Sequence, residues 1–275
     1  MKRLIINADD LGADTARNEG IFEAIRAGVV TSASLLPNGP ALEHALGRIR
    51  EGGFERVSFG VHLNLSEGRP LTPGRSLLSG PDGPFAGKAA IRRLLMNPED
   101  PALRDAVARE TAMQIDRLLD ALPGITHLDG HQHTHIFPAA LRPVTETALS
   151  RGIRRMRIPH EEGFMEDGAS PPVNTLAGKA RESLSGTGLV SSDHFRGLSL
   201  MRRLNLHNLL DLVPAIPEGV TELMVHPGRA PGETGFSPFS SKDRERELEA
   251  LIDPRFRLAL RDAGVGLISW REVAG

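Results

Sequence analysis

The stretch HLDGHQHTH, residues 127–135, sets His127, Asp129, His131, His133 and His135 two positions apart. The 275-residue chain has ten histidines, and four of them fall in these nine positions. There is no cysteine, so a metal site here must be built from imidazole, carboxylate and water. Three other short stretches carry the same residue types: NADDLG at 7–12, GVHLNL at 60–65 and MVHPG at 224–228.

Two histidines and one aspartate from three different strands leave open positions for water and substrate, which is the pattern of a catalytic metal centre. A divalent cation there brings the pKa of water toward ~7 and polarises a carbonyl. A free aspartate beside it can take a proton, and a histidine on the opposite side can protonate a leaving group. That combination suits hydrolysis of an amide or ester. Each stretch also has a plainer reading. Asp9 and Asp10 could cap the next helix, although Asp14 is the better cap. His62 could be a hydrogen-bonded histidine of a buried strand. The 127–135 tract could be a histidine-rich surface loop. If the strand there reaches residue 131, then His127, Asp129 and His131 share a side, and His133 and His135 lie in the following loop. Asp129 is then a candidate to orient a ligand imidazole through its second nitrogen.

The elements that must position these residues alternate. RLIINA, VVTSASLLP, RVSFGVHLNL, ITHLDGHQ, IRRMRIP, ELMVHPG and VGLISW read as strands. Helical patterns lie between them, at TARNEGIFEAIRAG, ALEHALGRIREGG, PALRDAVARETAMQIDRLLDAL, AALRPVTETALSRG and SKDRERELEALIDPRFRLALRDAG. The alternation recurs about seven or eight times and predicts a parallel sheet with helices outside. Count and length suit a deformed, TIM-like (β/α) barrel formed by one domain, 1–275. An open doubly wound sheet is the competitor, but no GxGxxG or GxxxxGK[ST] turn follows any strand. The polar residues Asn7, Asp9, Asp10, His62, Asn64, Asp129, His131, His133 and His226 fall at or just past predicted strand ends. That is the edge where parallel α/β folds build their sites. Two irregular stretches, 66–86 and 160–175, read as functional loops.

Bulk properties narrow the classes. Hydrophobic residues make up 40% and charged residues 25%, a globular balance. A net charge of −2 offers no footprint for nucleic acid. The apolar run at the N-terminus is far shorter than the ~7–15 residues of a signal peptide, and no segment approaches the ~18 of a membrane span. A cytoplasmic protein is expected, with contact to a membrane surface left open.

The chain resembles the YdjC-like family of carbohydrate deacetylases. The resemblance rests on NADDLG at 7–12 with GI.EAIR.G.VTS.SL..NG at 20–39, GVHLNL..G.PL at 60–71, THLDGHQHTH..P at 126–138 and ELMVHPG at 222–228. It runs in order along nearly the whole chain. It implies a deformed (β/α) barrel and removal of an N-acetyl group from an amino sugar with the help of one divalent metal cation. By resemblance, Asp10, His62 and His131 are the metal ligands. Asp9 is the general base that activates the attacking water, and His226 is the general acid for the departing amine. The family's metal is taken as magnesium, but two imidazoles and a carboxylate also suit zinc. Leu11 stands where the family often has phenylalanine. The segment SSDHFRGLSLMRRLN at 191–205 is similar to the hopanoid-biosynthesis branch. That branch implies an N-acetylglucosaminyl glycolipid substrate, for which the two loops would offer an apolar groove. A homodimer is implied by resemblance alone.

Other residues carry open alternatives. Arg157, in RMRIP, reads as a contact to a sugar or as a surface arginine. Asn38, in PNGP, reads as a substrate contact or a turn residue. Asp129 and His133 are assigned to the surroundings of the metal or to substrate. Asp193 and His194 are read as ending another strand at the same rim. The charge run 242–249 reads as a solvated helix face, and Trp270 as packing. His44, His160 and His207 are taken as ordinary. Two competing functions remain: another barrel metallohydrolase, such as an amidohydrolase or phosphoesterase, and a non-catalytic sugar-binding protein. The first would want an HxH on the first strand, and the second more aromatic platforms than the 4% present.

Overall fold

The computed structural model describes residues 1–74, 76–79, 83–164, 173–230 and 241–274. Its sheet is parallel throughout: β1 (Lys2–Leu11), β2 (Ser32–Leu35), β3 (Ser58–Leu63), β4 (Ile125–Gly130), β5 (His194–Arg196), β6 (Gly219–Val225) and β7 (Gly266–Leu267). The strand order is β4-β3-β2-β1-β6-β5, and β7 pairs with the first residues of β1. Two single parallel bridges, Leu128 to Met156 and Arg155 to Val190, carry the sheet on from β4. From Val190 the chain runs directly into β5, so the sheet curls into the expected deformed (β/α) barrel. The expected strand at 153–159 amounts to those bridges alone.

Helices pack around this ring: α1 (Thr15–Arg26), α2 (Leu42–Arg50), α3 (Lys88–Leu95), α4 (Pro101–Ala121), α5 (Pro138–Ser150), α6 (Val173–Leu184), α7 (Leu206–Leu212), α8 (Ser241–Ile252) and α9 (Pro254–Asp262). Asp14 caps α1, its side chain accepting from Arg17 N at 2.7 Å. Ile21, Ala24 and Ile25 bury the inner face of that helix, and Gly28, at φ 72°, lets the chain turn away after it. The single helix expected over 241–264 is two. Pro254 lacks an N–H and disfavours helical backbone at residue 253, and Asp253 restarts the chain by capping α9 through Arg255 N at 2.9 Å. The stretch 66–86 is less irregular than its composition suggests, because Ser79 pairs with Phe85, and Leu78 and Phe85 are buried. Of the stretch 160–175, residues 165–172 lie outside the described residues, and α6 begins at Val173. Among the described residues no helix is long and apolar enough to cross a membrane.

Strand alternation divides the buried side chains into two sets. Leu4, Ile6, Ala8, Ala33, Leu35, Phe59, Val61, Leu63, Leu128 and Leu223 form the main core with helix residues such as Phe22, Ile115 and Val144. The opposite face lines the barrel interior in tiers. The lowest is apolar, with Ile5, Val220, Trp270 and Val273 forming a separate cluster. Trp270 is fully buried and stacks on His127, with centroids 5.3 Å apart and planes at 16°, which is the packing role expected of it. Above it the interior is polar, with Asn7, Ser34, His127, Asp129 and Glu222 all fully buried. An all-aliphatic filling is usual for such barrels; here the middle of the barrel is a hydrogen-bonded network.

Gly60 makes room for that network. A Cβ on it would lie 2.4 Å from His127 Nε2. Gly60→Ala must push the imidazole off Asn7 and Ser34, and an overpacked interior costs about 1–3 kcal/mol. Urea denaturation is expected to show a loss of that size; an unchanged midpoint would mean that the interior is loosely filled.

Candidate metal centre and its buried charge network

β1 delivers two adjacent carboxylates to one place because it is irregular at its end. Its register with β2 shifts between Ala8 and Leu11, and Asp10 takes a left-handed backbone, φ 65°. Regular alternation would send neighbouring side chains to opposite faces. A residue other than glycine held this way costs about 1–3 kcal/mol and persists where its surroundings enforce it. The second irregularity follows β4. The strand ends at Gly130, one residue short of His131, and residues His131–Ile136 form tight turns in which Gln132 and His133 have φ 55° and 59°. His131 therefore reaches the site from a turn and not from the strand.

The result is a triangle of ligand-type atoms. His131 Nδ1 lies 2.9 Å from Asp10 Oδ1, His62 Nε2 lies 3.3 Å from the same oxygen, and the two nitrogens are 3.3 Å apart. All three residues are buried, and Asp10 Oδ1 has no hydrogen bond of its own. Ligand atoms about 2.1 Å from a cation stand roughly 3.0–3.4 Å from one another in octahedral or tetrahedral arrangements. The edges match, so Asp10, His62 and His131 could hold a divalent cation. The electrostatics agree. Burial alone would lower the His62 imidazolium, but Asp129 and Asp9 raise it to about 10, which marks this point as one that draws positive charge. Burial alone would raise the Asp10 carboxyl, but His131 and Arg244 hold it well below the usual range.

Asp129, opposite His62 in the sheet register, accepts from His62 Nδ1 at 2.7 Å and from Ser34 Oγ at 2.6 Å. Asp9 lies beside the triangle and is gripped by Arg157, whose Nη1 and Nη2 reach its two oxygens at 2.6 and 2.7 Å. The same guanidinium is 3.0 Å from Asp129 and 2.8 Å from Glu222. Arg157 is fully buried, so it is neither a surface arginine nor open to a sugar. Burial pushes Glu222 up to about 7 even against that guanidinium. His226, just past β6, has Nε2 4.0 Å from Asp9 Oδ2, and burial pushes it down to about 4. His133 is buried on the same cavity wall, edge-on to Phe195. His135 points elsewhere, with Nε2 at 2.9 Å from Arg157 O. The cavity holds about 430 Å³ and is lined by Asp9, Asp10, His62, His131, His133 and His226, with Glu67, Lys88, Arg92, Gln132, Met201, Arg202 and Met224 at its sides.

Some expected positions fall elsewhere. Asn38 braces a loop by donating to Glu67 O and Arg69 O at 3.0 and 2.9 Å. Asp193 and His194 sit at the opposite end of the barrel, because β5 begins at His194 where they were expected to end a strand. There Asp193 accepts from Val220 N at 2.7 Å, and a ring nitrogen of His194 is 3.2 Å from Glu218 O. The charge run 242–249 is not wholly solvated. Arg244 is buried and donates to Asp10 Oδ2 at 2.7 Å, while buried Glu247 accepts from His226 N at 2.6 Å. Neither was legible in a helix whose acidic and basic residues alternate. Glu222 carried a signal, being a lone acid inside an apolar strand. Glu67, in a Gly/Pro/Ser-rich loop, carried none.

A parallel barrel with a buried Asp/His group able to hold a metal ion at its C-terminal rim is thus defined by geometry alone. The YdjC-like protein family matches residues 3–262, and the chain belongs to that family. It is 39% identical to a carbohydrate deacetylase of Mus musculus, with 96% of this chain and 93% of that protein aligned. It is 32% identical to a chitooligosaccharide deacetylase of Enterobacter sp. (strain 638), with 99% of each aligned. In fold it is similar to a putative cellobiose-phosphate cleavage protein of Enterococcus faecalis V583, with a TM-score of 0.78 at 24% identity over 100% of this chain and 99% of that one. A CE4 esterase of Streptococcus mutans shares the fold more distantly, with a TM-score of 0.52 at 12% identity over 98% of this chain and 85% of that one.

The Glu222 carboxyl sets a pH dependence. Unfolded, it releases its proton near its ordinary 4.5; folded, near 7. Between those values the folded state holds the extra proton, so this group makes stability fall as pH rises from about 4.5 to 7. Glu222→Gln removes that cost and keeps an acceptor for Arg157. Relative to the parent, the variant is expected to be about 1–3 kcal/mol better at pH 8 than at pH 5, measured by chemical denaturation at both. An equal difference at the two pH values would show that Glu222 is ionised throughout.

Proposed function

We propose that the protein is a metal-dependent hydrolase that removes the N-acetyl group from an acetylated amino sugar. The observation that carries this reading is the triangle of Asp10, His62 and His131 with Asp9 and His226 on its flank. Relatives named as deacetylases of carbohydrate and chitooligosaccharide support the reaction and the sugar. When bound, a divalent cation acidifies water and polarises the acetyl carbonyl. Two imidazoles and a carboxylate suit zinc, while magnesium would keep several waters.

Asp9 takes the proton from the water that attacks the acetyl carbon. Arg157 holds both carboxylate oxygens, so Asp9 meets the water in one orientation. His226 enters the reaction neutral because of its burial. We assign His226, 4.0 Å from Asp9, to receive that proton through one intervening water and to pass it to the departing nitrogen as the C–N bond breaks, leaving an amine and acetate. Neutral His133 faces the same cavity and contacts the substrate there. The segment resembling the hopanoid branch contributes Met201 and Arg202 to the cavity wall, so we place a glycolipid's aglycone, if the sugar carries one, along that wall. The reaction is assigned to the cytoplasm and the assembly to a homodimer, which light scattering would read.

Asp9→Asn is expected to lower turnover by about 10²–10⁴-fold with metal content intact, while His62→Ala and His131→Ala lose the metal. Acetate release from N-acetylglucosamine oligomers and an N-acetylglucosaminyl lipid, with metal analysis of each variant, checks this. Full activity in any variant would remove its assigned role. Turnover of phosphoesters instead would favour a different metallohydrolase.

A further inference from the structure

We infer that Glu67 is the positioning residue of His131, fixing the imidazole tautomer that keeps its proton on Nε2 and leaves Nδ1 as a lone pair for the cation. The inference rests on the cation site proposed above and adds a residue outside it. Both histidines of the triangle turn the far nitrogen toward a carboxylate, His62 in a hydrogen bond and His131 in a 3.2 Å charge contact. His62 turns Nε2 to the common point and Nδ1 to the Asp129 carboxylate at 2.7 Å. His131 turns Nδ1 to the common point and Nε2 to Glu67 Oε2 across 3.2 Å. A neutral imidazole carries one proton on one nitrogen. A carboxylate at the far nitrogen decides which, and makes the near nitrogen a better ligand.

The second observation is how firmly the chain holds Glu67. Its loop has no regular structure, yet its backbone is clamped by two asparagines. Asn64 Oδ1 accepts from Glu67 N at 3.0 Å, and Glu67 O accepts from Asn64 Nδ2 at 2.8 Å and Asn38 Nδ2 at 3.0 Å. Asn64 is tied in turn to Gln114 of α4, whose side chain bonds both its N and its O, at 2.9 and 2.6 Å. Glu67 Oε1 accepts from Gln132 Nε2, next to His131 and in the left-handed stretch. One carboxylate thus touches the ligand and the turn that presents it. A solvated loop acid would need none of these restraints.

Cobalt(II) titration of the metal-stripped protein, followed by visible absorption, tests the assignment. Glu67→Ala is expected to bind about 10–100-fold more weakly, with the shape of the cobalt bands kept. Glu67→Gln, which retains a carbonyl acceptor, is expected to recover most of the loss. Parent-like affinity in Glu67→Ala, with or without a raised KM, overturns the inference. So do altered bands, which would make Glu67 a ligand, and an affinity loss that follows a lowered Tm and is not rescued by glutamine. His131→Ala is the control. If it too binds cobalt normally, the cation site itself is wrong; if it alone loses cobalt, only the role of Glu67 falls.

Discussion

Everything at the rim of this barrel hangs on one buried guanidinium. Arg157 has no exposure to solvent and meets three carboxylates, Asp9, Asp129 and Glu222. A charge taken out of water is tolerable only when paired and hydrogen-bonded, so the four groups constrain one another. Asp9 is held in one orientation. Asp129 is kept ionised and is therefore able to fix His62 through Nδ1. His62 in turn places Nε2 beside Asp10 and His131. Removing Arg157 would leave its carboxylates uncompensated and undo the site from beneath.

The tiers of the interior explain why the charge is tolerated there. The apolar faces of the strands point outward to the helices and form the main core. The interior is sealed below by Ile5, Val220, Trp270 and Val273, leaving its middle for hydrogen-bonded groups. From outside the ring, α8 adds two grips, Arg244 on Asp10 and Glu247 on the backbone of His226. One helix, through two residues a turn apart, thereby fixes groups from two neighbouring strands, β1 and the end of β6.

Much of this was readable in the chain because it obeys local rules. Alternation in RVSFGVHLNL separated His62 from Phe59, Val61 and Leu63. The β/α rhythm implied a parallel barrel, and polar strand ends marked the rim where the Asp/His group gathers. What stayed hidden depends on contacts between distant residues. Arg157 looks like any arginine of RRMRIP until three carboxylates from other strands surround it. Arg244 and Glu247 are lost in a run of like residues, and only helix docking shows which of them face inward. The left-handed backbone at Asp10 and Gln132 has no composition signal, since neither is glycine. The expected strand over 153–159 failed because its apolar residues pack beside single bridges and never build a ladder.

That poor ladder has a consequence of its own. The ring is joined between β4 and β5 by two isolated pairs, at Met156 and Arg155, and Arg157 follows immediately. Few backbone bonds must open together for such a joint to part. Each opening would draw the guanidinium away from Asp9 and free that carboxylate before the rest of the sheet yields. The arrangement of the buried charges should then give way on warming ahead of global unfolding, with the seam as the fuse.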